Sequence, residues 1–446
     1  MMTRPTRAAW AGLGVTIALI AVAAAVPPLT GWAVHSLGVA PLHGPWQPRV
    51  GPGTPAAILL AVAAVVFAPR ITRWPWWRLQ VVVVLAGIGW MLSLATVDGW
   101  AGIAAQLDHG NDYLPTARTI TDVGAMLREF VARIPFSAAP HNWPVHVAGH
   151  PPGAVLFFVL LVRLGLGSAI ASGLVIVLLA STTAVAVLTT MRRLGGEEAA
   201  RRSAPFLVIA PAAIWMASTG DAVFAAVAAW ALCTLALAAT SVGVRARVWA
   251  GASGILFGVC LLMSYGLALV AVLALAVLVL ARSLRPLPWV VAGVVLVVGG
   301  FAVAGFAWWE ALPVLTRRYW DGLASSRPAA YWTWANLAAF AVSTGPIAGA
   351  AVATAGAAAA ARLTGARPPL PRAAVVAIVL CLAAVTTVLL ADASQMSRAE
   401  VERIWLPFVP WTLVGTALLT PRWQRWGLAG QAVFALLVEH LVKTGW

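Results

Sequence analysis

The sequence predicts an all-α, polytopic transmembrane helical bundle of about 13 spans, on three observations. The chain is 61% hydrophobic and 10% charged, with a mean hydropathy of +0.90. Soluble domains carry about 25% charged residues. Apolar runs near the ~20 residues that cross a bilayer recur from end to end. The turns between them are rich in arginine, and such turns orient a chain by facing the cytoplasm.

The first span is read at residues 8–29, with the N-terminus inside. Its apolar run continues to about Trp32, longer than the core of a signal peptide, so it reads as an uncleaved helix. Residues 52–69 and 79–97 follow, separated by Arg70, Arg73 and Arg78 among Trp74, Trp76 and Trp77. That mixture is an inner turn with its aromatic belt. Residues 152–167 are apolar but short. If they crossed, the turn holding Arg192, Arg193, Arg201 and Arg202 would move outside. They read instead as a helix at the interface or entering part-way, its backbone covered by protein.

Spans at 168–191, 204–218, 221–240, 249–264, 266–282 and 288–308 come next, with Arg245, Arg247, Arg282 and Arg285 in inner turns. The span at 335–361 is rich in alanine, which suits close helix packing. Arg362, Arg367 and Arg372 lead from it into spans at 373–391, 404–420 and 427–443, with Arg422 and Arg425 between the last two. Cys233, Cys260 and Cys381 all lie in apolar runs and read as small core residues, without a disulfide framework. The net charge of +15 sits in short loops between spans. Anionic lipid, not nucleic acid, is therefore the expected partner.

Three outer loops remain, at 98–151, 309–334 and 392–403. In the first, Ile120, Val123, Leu127, Phe130, Val131 and Ile134 have helical spacing, with polar residues between. They predict an amphipathic helix lying flat on the membrane. Of the fourteen acidic residues, all but Glu197, Glu198 and Glu439 fall on this outer side. Acids do little to orient a chain, so their gathering needs another cause, and chemistry is the leading one.

The first loop opens on Asp98, continues through Asp108-His109-Gly110-Asn111-Asp112-Tyr113, and closes on His146-Val147-Ala148-Gly149-His150-Pro151-Pro152. A carboxylate at the membrane surface, walled by apolar helices, can act as a general base. Each acid taken singly also fits a solvated charge or a helix cap. His146 and His150 have i, i+4 spacing, but Gly149 and Pro151 favour a turn, and Val147 stands where a zinc protease would carry Glu. That turn either binds phosphate or sugar or is structural. Asp221 stands between two spans, as an N-cap or as a carboxylate for a sugar hydroxyl or divalent ion. Glu402 and Arg403 stand at the mouth of an apolar helix, where Arg403 either grips a lipid-linked phosphate or snorkels. Arg317, Arg318, Tyr319, Trp320, Arg327, Tyr331 and Trp332 add basic and aromatic surface.

In order and sidedness these motifs resemble GT-C-type integral-membrane glycosyltransferases, closest in flavour to the actinobacterial, protein-mannosyltransferase-like branch. The resemblance covers residues 79–420 as a core, after an N-terminal hairpin at 1–78 and before a last helix at 421–446. It implies a polyprenyl-phosphate sugar donor and an active site outside the cytoplasmic membrane. The acceptor would be a glycan, glycolipid or protein of the envelope. It also implies a catalytic Asp in the first large outer loop, which is Asp98 here with Asp108 and Asp112 as competitors. Asp221 matches a later acid of the family and Arg403 a phosphate contact; Tyr113, His146, His150 and Glu402 complete the substrate-binding set. Cationic side chains or a divalent cation would stabilise the leaving phosphate. The chain departs from the family in having no acid between 33 and 51, where the usual pair follows the first helix, and in its two extra N-terminal helices. The alternative is a transporter or flippase. Charges at the outer ends of the spans, not at the midplane, favour an enzyme.

Overall fold

The computed structural model describes residues 4–365 and 369–444. Arg367, read above as part of an inner turn, lies outside them. Among the described residues all regular structure is helical, apart from isolated bridges between Gly38 and Gly44 and between Trp46 and Val442.

Helices α1 (Arg4–Thr30), α2 (Thr54–Ile71) and α3 (Trp76–Ala95) come first. The loop at 98–151 folds into α4 (Ala101–Ala104), α5 (Tyr113–Thr119), α6 (Val123–Glu129) and α7 (Val145–Gly149), then enters α8 (Pro152–Arg163). Next come α9 (Ala169–Arg193), α10 (Glu197–Val208), α11 (Ala213–Met216), α12 (Gly220–Ala239) and α13 (Gly243–Met263). After α14 (Ala271–Ala281), α15 (Leu287–Val303) bends by 73° into α16 (Trp308–Asp321). Likewise α17 (Ala329–Thr344) bends by 106° into α18 (Ile347–Leu363). Then α19 (Arg372–Ala393), α20 (Val401–Ile404), α21 (Val409–Leu413) and α22 (Pro421–Leu441) complete the chain.

Seven described helices are long and apolar enough to cross a membrane, or nine if each bent pair is one span. The chain is therefore a polytopic membrane bundle, but thirteen uninterrupted spans are not what it shows. The segment at 204–218 is broken after α10, where Pro211 cannot continue a helix. The one at 404–420 is divided among α20, α21 and 3-10 turns around Pro407 and Pro410. The one at 335–361 bends at Gly345-Pro346.

Residues 152–167 form a short apolar element. With α8 only 12 residues long, it reaches about 18 Å. Its far end stays beside the loop helices, since Arg118 donates to the Gly167 carbonyl at 2.9 Å and Arg163 to that of Thr121 at 3.2 Å. The amphipathic segment differs from expectation. Only Val123–Glu129 is helical, capped by Asp122. On its apolar side Phe130 and Ile134 are fully buried, and Phe130 packs on Trp143 and Phe306.

At the centre stands α12, buried along most of its length between α9, α13 and α14. Its many alanines let these neighbours approach closely. The N-terminus of α12, the α7–α8 junction and α20 meet at one place, and the candidate site lies there.

Candidate active site

Arg403 is the hub. It lies on α20, which follows a loop whose Ala399 and Glu400 adopt left-handed φ values of 72° and 62°. That turn sets Glu400 and Arg403 face to face, with Arg403 Nη2 donating to Glu400 Oε2 at 3.0 Å. Arg403 Nη1 donates to Asp221 Oδ2 at 2.6 Å, and Nη2 lies 3.4 Å from His146 Nε2. A guanidinium only donates, so Nε2 of His146 accepts and its proton sits on Nδ1. From there it is donated to Asp112 Oδ2 at 3.3 Å; this tautomer follows from the network. The other oxygen of Asp112 accepts the Tyr113 N–H at 2.6 Å and caps α5.

Tyr113 closes the apolar side. Its ring stacks on Phe158 at 5.4 Å and meets Phe224 edge-on at 6.5 Å, while its hydroxyl lies 2.8 Å from His150 Nδ1. Gly220 permits this approach, since a Cβ there would come within 2.9 Å of the ring. Burial pushes the His150 imidazole down to about 4, so it is neutral at physiological pH. Burial, and then the charges of Asp221 and Asp112, raise the Tyr113 hydroxyl well above its ordinary value.

Two neighbouring glutamates titrate in opposite directions. Burial works against ionisation of Glu400, but Arg403, Arg327 and His43 outweigh it and hold the carboxyl at about 2. Arg327 Nη2 donates to its Oε1 at 3.1 Å. Glu402 is fully buried, and that burial, reinforced by Glu400, pushes it up to about 7. One Glu402 oxygen accepts the His43 backbone N–H at 3.2 Å, and the other has no side-chain hydrogen-bond partner among the described residues.

Asp112, Tyr113, His146, His150, Asp221, Glu402 and Arg403 thus share one cluster. Asp98 and Asp108 lie elsewhere. Asp98 is paired to Arg49 at 2.8 Å, and Arg49 also holds Glu439 at 2.7 Å. Beside them Thr54 meets His440 at 2.9 Å, so this second group ties neighbouring ends of α2, α3 and α22. Asp108 forms a half-exposed pair with Arg118. The aromatic surface expected between 317 and 332 is partly interior. Tyr331 and Trp332 are buried, donating to the carbonyls of Ala23 and Val34, and Arg318 braces the carbonyls of Ile134 and Trp143.

The structure adds three groups to the expected set: Glu400, Arg327, which the sequence marks only as basic surface, and His43. Glu400 was visible as the first residue of Glu400-Val401-Glu402-Arg403. His43 had no signal, because its bond joins residues 359 positions apart. Among the described residues no three His, Cys, Asp or Glu side chains are grouped to hold a metal ion. A cavity of about 1070 Å³ lies apart from the cluster, between α1 and α22, with apolar walls that include Trp10, Trp423, Trp426 and Phe434.

No family model and no curated protein matches the chain. Among solved structures, that of ArnT from Cupriavidus metallidurans in the apo state is similar at 18% identity, covering 79% of this chain and 77% of that one, with a TM-score of 0.35.

Proposed function

We propose that this chain is a membrane glycosyltransferase acting at the outer face of the cytoplasmic membrane, with a polyprenyl-phosphate sugar as donor and an envelope glycan, glycolipid or protein as acceptor. The observation that carries the reading is the convergence on Arg403 of Asp221, Glu400 and His146, with Asp112 behind His146, from three distant stretches of an apolar chain. Polar groups so costly to bury beside lipid mark a functional site.

In this reading Asp112, not Asp98, takes the proton. The acceptor oxygen attacks the anomeric carbon as its proton passes to the carboxylate. The bond from that carbon to the phosphate oxygen breaks, and the electron pair leaves with the polyprenyl phosphate. Arg403, held by Asp221, receives the leaving phosphate, and attack opposite the leaving group inverts the anomeric centre. His146 fixes the carboxylate. Tyr113, Phe158 and Phe224 keep the apolar wall dry, which strengthens each charge interaction.

Asp112→Asn should lower sugar transfer in membranes by about a hundredfold or more, the usual worth of a positioned base. Asp98→Asn, outside the cluster, should keep most activity. Full activity in Asp112→Asn would remove this carboxylate from the chemistry. Broken helices near the cluster give the second reading, a transporter, its support, since such helices build transport sites. Solute flux into liposomes without sugar transfer would favour it.

A further inference from the structure

Glu400 differs from the other acids of the cluster. It bridges two guanidinium groups, with Oε1 3.1 Å from Arg327 Nη2 and Oε2 3.0 Å from Arg403 Nη2. Its side chain is 21% exposed against 6% for Asp221, so it stands on the open side of the pair. Its backbone, like that of Ala399, has a left-handed conformation that a residue with a Cβ adopts reluctantly. Each arginine has further anchors besides Glu400. Asp221 holds Arg403, and the carbonyls of Arg398 and His35 hold Arg327 at 2.5 and 3.4 Å.

Two fixed guanidinium groups that share a carboxylate match what a phosphate needs in charge and in donor geometry. We propose that Glu400 is a resident anion: it occupies the seat of the substrate's phosphate between Arg327 and Arg403, moves out when that phosphate enters, and returns to expel the product. The inference rests on the glycosyltransferase reading for the identity of the phosphate. Arg327 becomes a second phosphate-binding residue beside Arg403, and Glu400 a positioning residue that forms no covalent bond and transfers no proton.

The two ligands differ in charge. A phosphodiester donor carries one negative charge, whereas the released monoester approaches two near neutral pH. The product is therefore the tighter guest of two arginines, and a competing carboxylate speeds its departure. Release is a common limit on turnover.

The test is equilibrium binding of farnesyl monophosphate to the purified full-length chain in detergent. Glu400→Gln should bind about tenfold tighter than wild type, a difference of ~1.4 kcal/mol, and should show stronger product inhibition. Arg327→Gln should lose binding. Equal or weaker binding by a folded Glu400→Gln chain would overturn the proposal and make Glu400 an organiser of the arginines. If that variant does not fold, Glu400→Asp decides the matter. One methylene shorter, it cannot span both arginines and must still bind more tightly than wild type. Failure of wild type and variants alike to bind also overturns it. A chain that binds with the expected ranking but transfers no sugar supports the seat and retires only the transferase.

Discussion

Arg403 shows what a buried charge demands of its surroundings. It is 6% exposed and offers its donors to Asp221, Glu400 and His146. Arg403→Ala would remove the partner of buried Asp221, a loss of about 3–5 kcal/mol; a melting curve in detergent measures it. Arg403→Lys should recover little, because a single ammonium cannot serve carboxylates on two sides in a fixed fork. Glu402 gives the pH signature. Its folded value of about 7 lies above the ordinary 4.5, so between those values the folded chain keeps a proton that the unfolded chain has released. The stability it contributes is full below about 4.5 and is lost as pH rises through 7, of order 3 kcal/mol. Glu402→Gln, which mimics the protonated acid, should melt like wild type at pH 5 and above it at pH 8.5. Glu400 acts in the opposite sense. Held at about 2, it contributes stability above the ordinary carboxylate range and loses it only in stronger acid. Equal melting of wild type and Glu402→Gln at both pH values would show that Glu402 is ionised throughout.

At the scale of elements, backbone contact sets how closely helices cross. A Cβ on Gly349 of α18 would fall 1.8 Å from Thr16 Oγ1 of α1, and one on Gly12 would fall 2.1 Å from the Gly349 carbonyl oxygen. Gly349→Leu should therefore pry α1 from α18, costing about 1–3 kcal/mol or more as overpacking does, and should expose the α1 turn to protease. Intact, wild-type-like resistance would show that the two helices are not packed there. The elements are legible in the sequence where the signal is local. The twelve residues of α8 are too few to cross, and charge parity says the same. Prolines foretell where spans break, yet apolar composition runs unbroken across Pro211, Pro346, Pro407 and Pro410, so hydropathy alone predicts continuous spans there. The segment around Phe130 fails for a related reason. Helical spacing reveals an apolar side but not whether lipid or Phe306 covers it.

For the whole molecule the site was legible as a set of outer acids but not as a choice among them. Asp98 and Asp112 look alike in sequence, each at a helix boundary in one polar loop. What separates them is distant. Asp98 is claimed by Arg49, which reaches Glu439 across 390 positions, while Asp112 is joined through His146 to Arg403, itself 257 positions from His146. No local pattern encodes such pairings. Sidedness, by contrast, is a prediction of the arginine turns and can be tested without a substrate. Cys233, Cys260 and Cys381 are buried, so the native chain offers little background to a thiol reagent. Gly110→Cys and Ser325→Cys, in the first and second outer loops, should react with an impermeant maleimide on intact cells. Ser283→Cys, beside Arg282 in an arginine turn, should react only after the membrane is opened. The reverse pattern would put the cluster of Asp112, Asp221 and Arg403 on the cytoplasmic side. A transferase drawing on an outward-facing lipid-linked sugar could not work from there, whatever the geometry of its carboxylates.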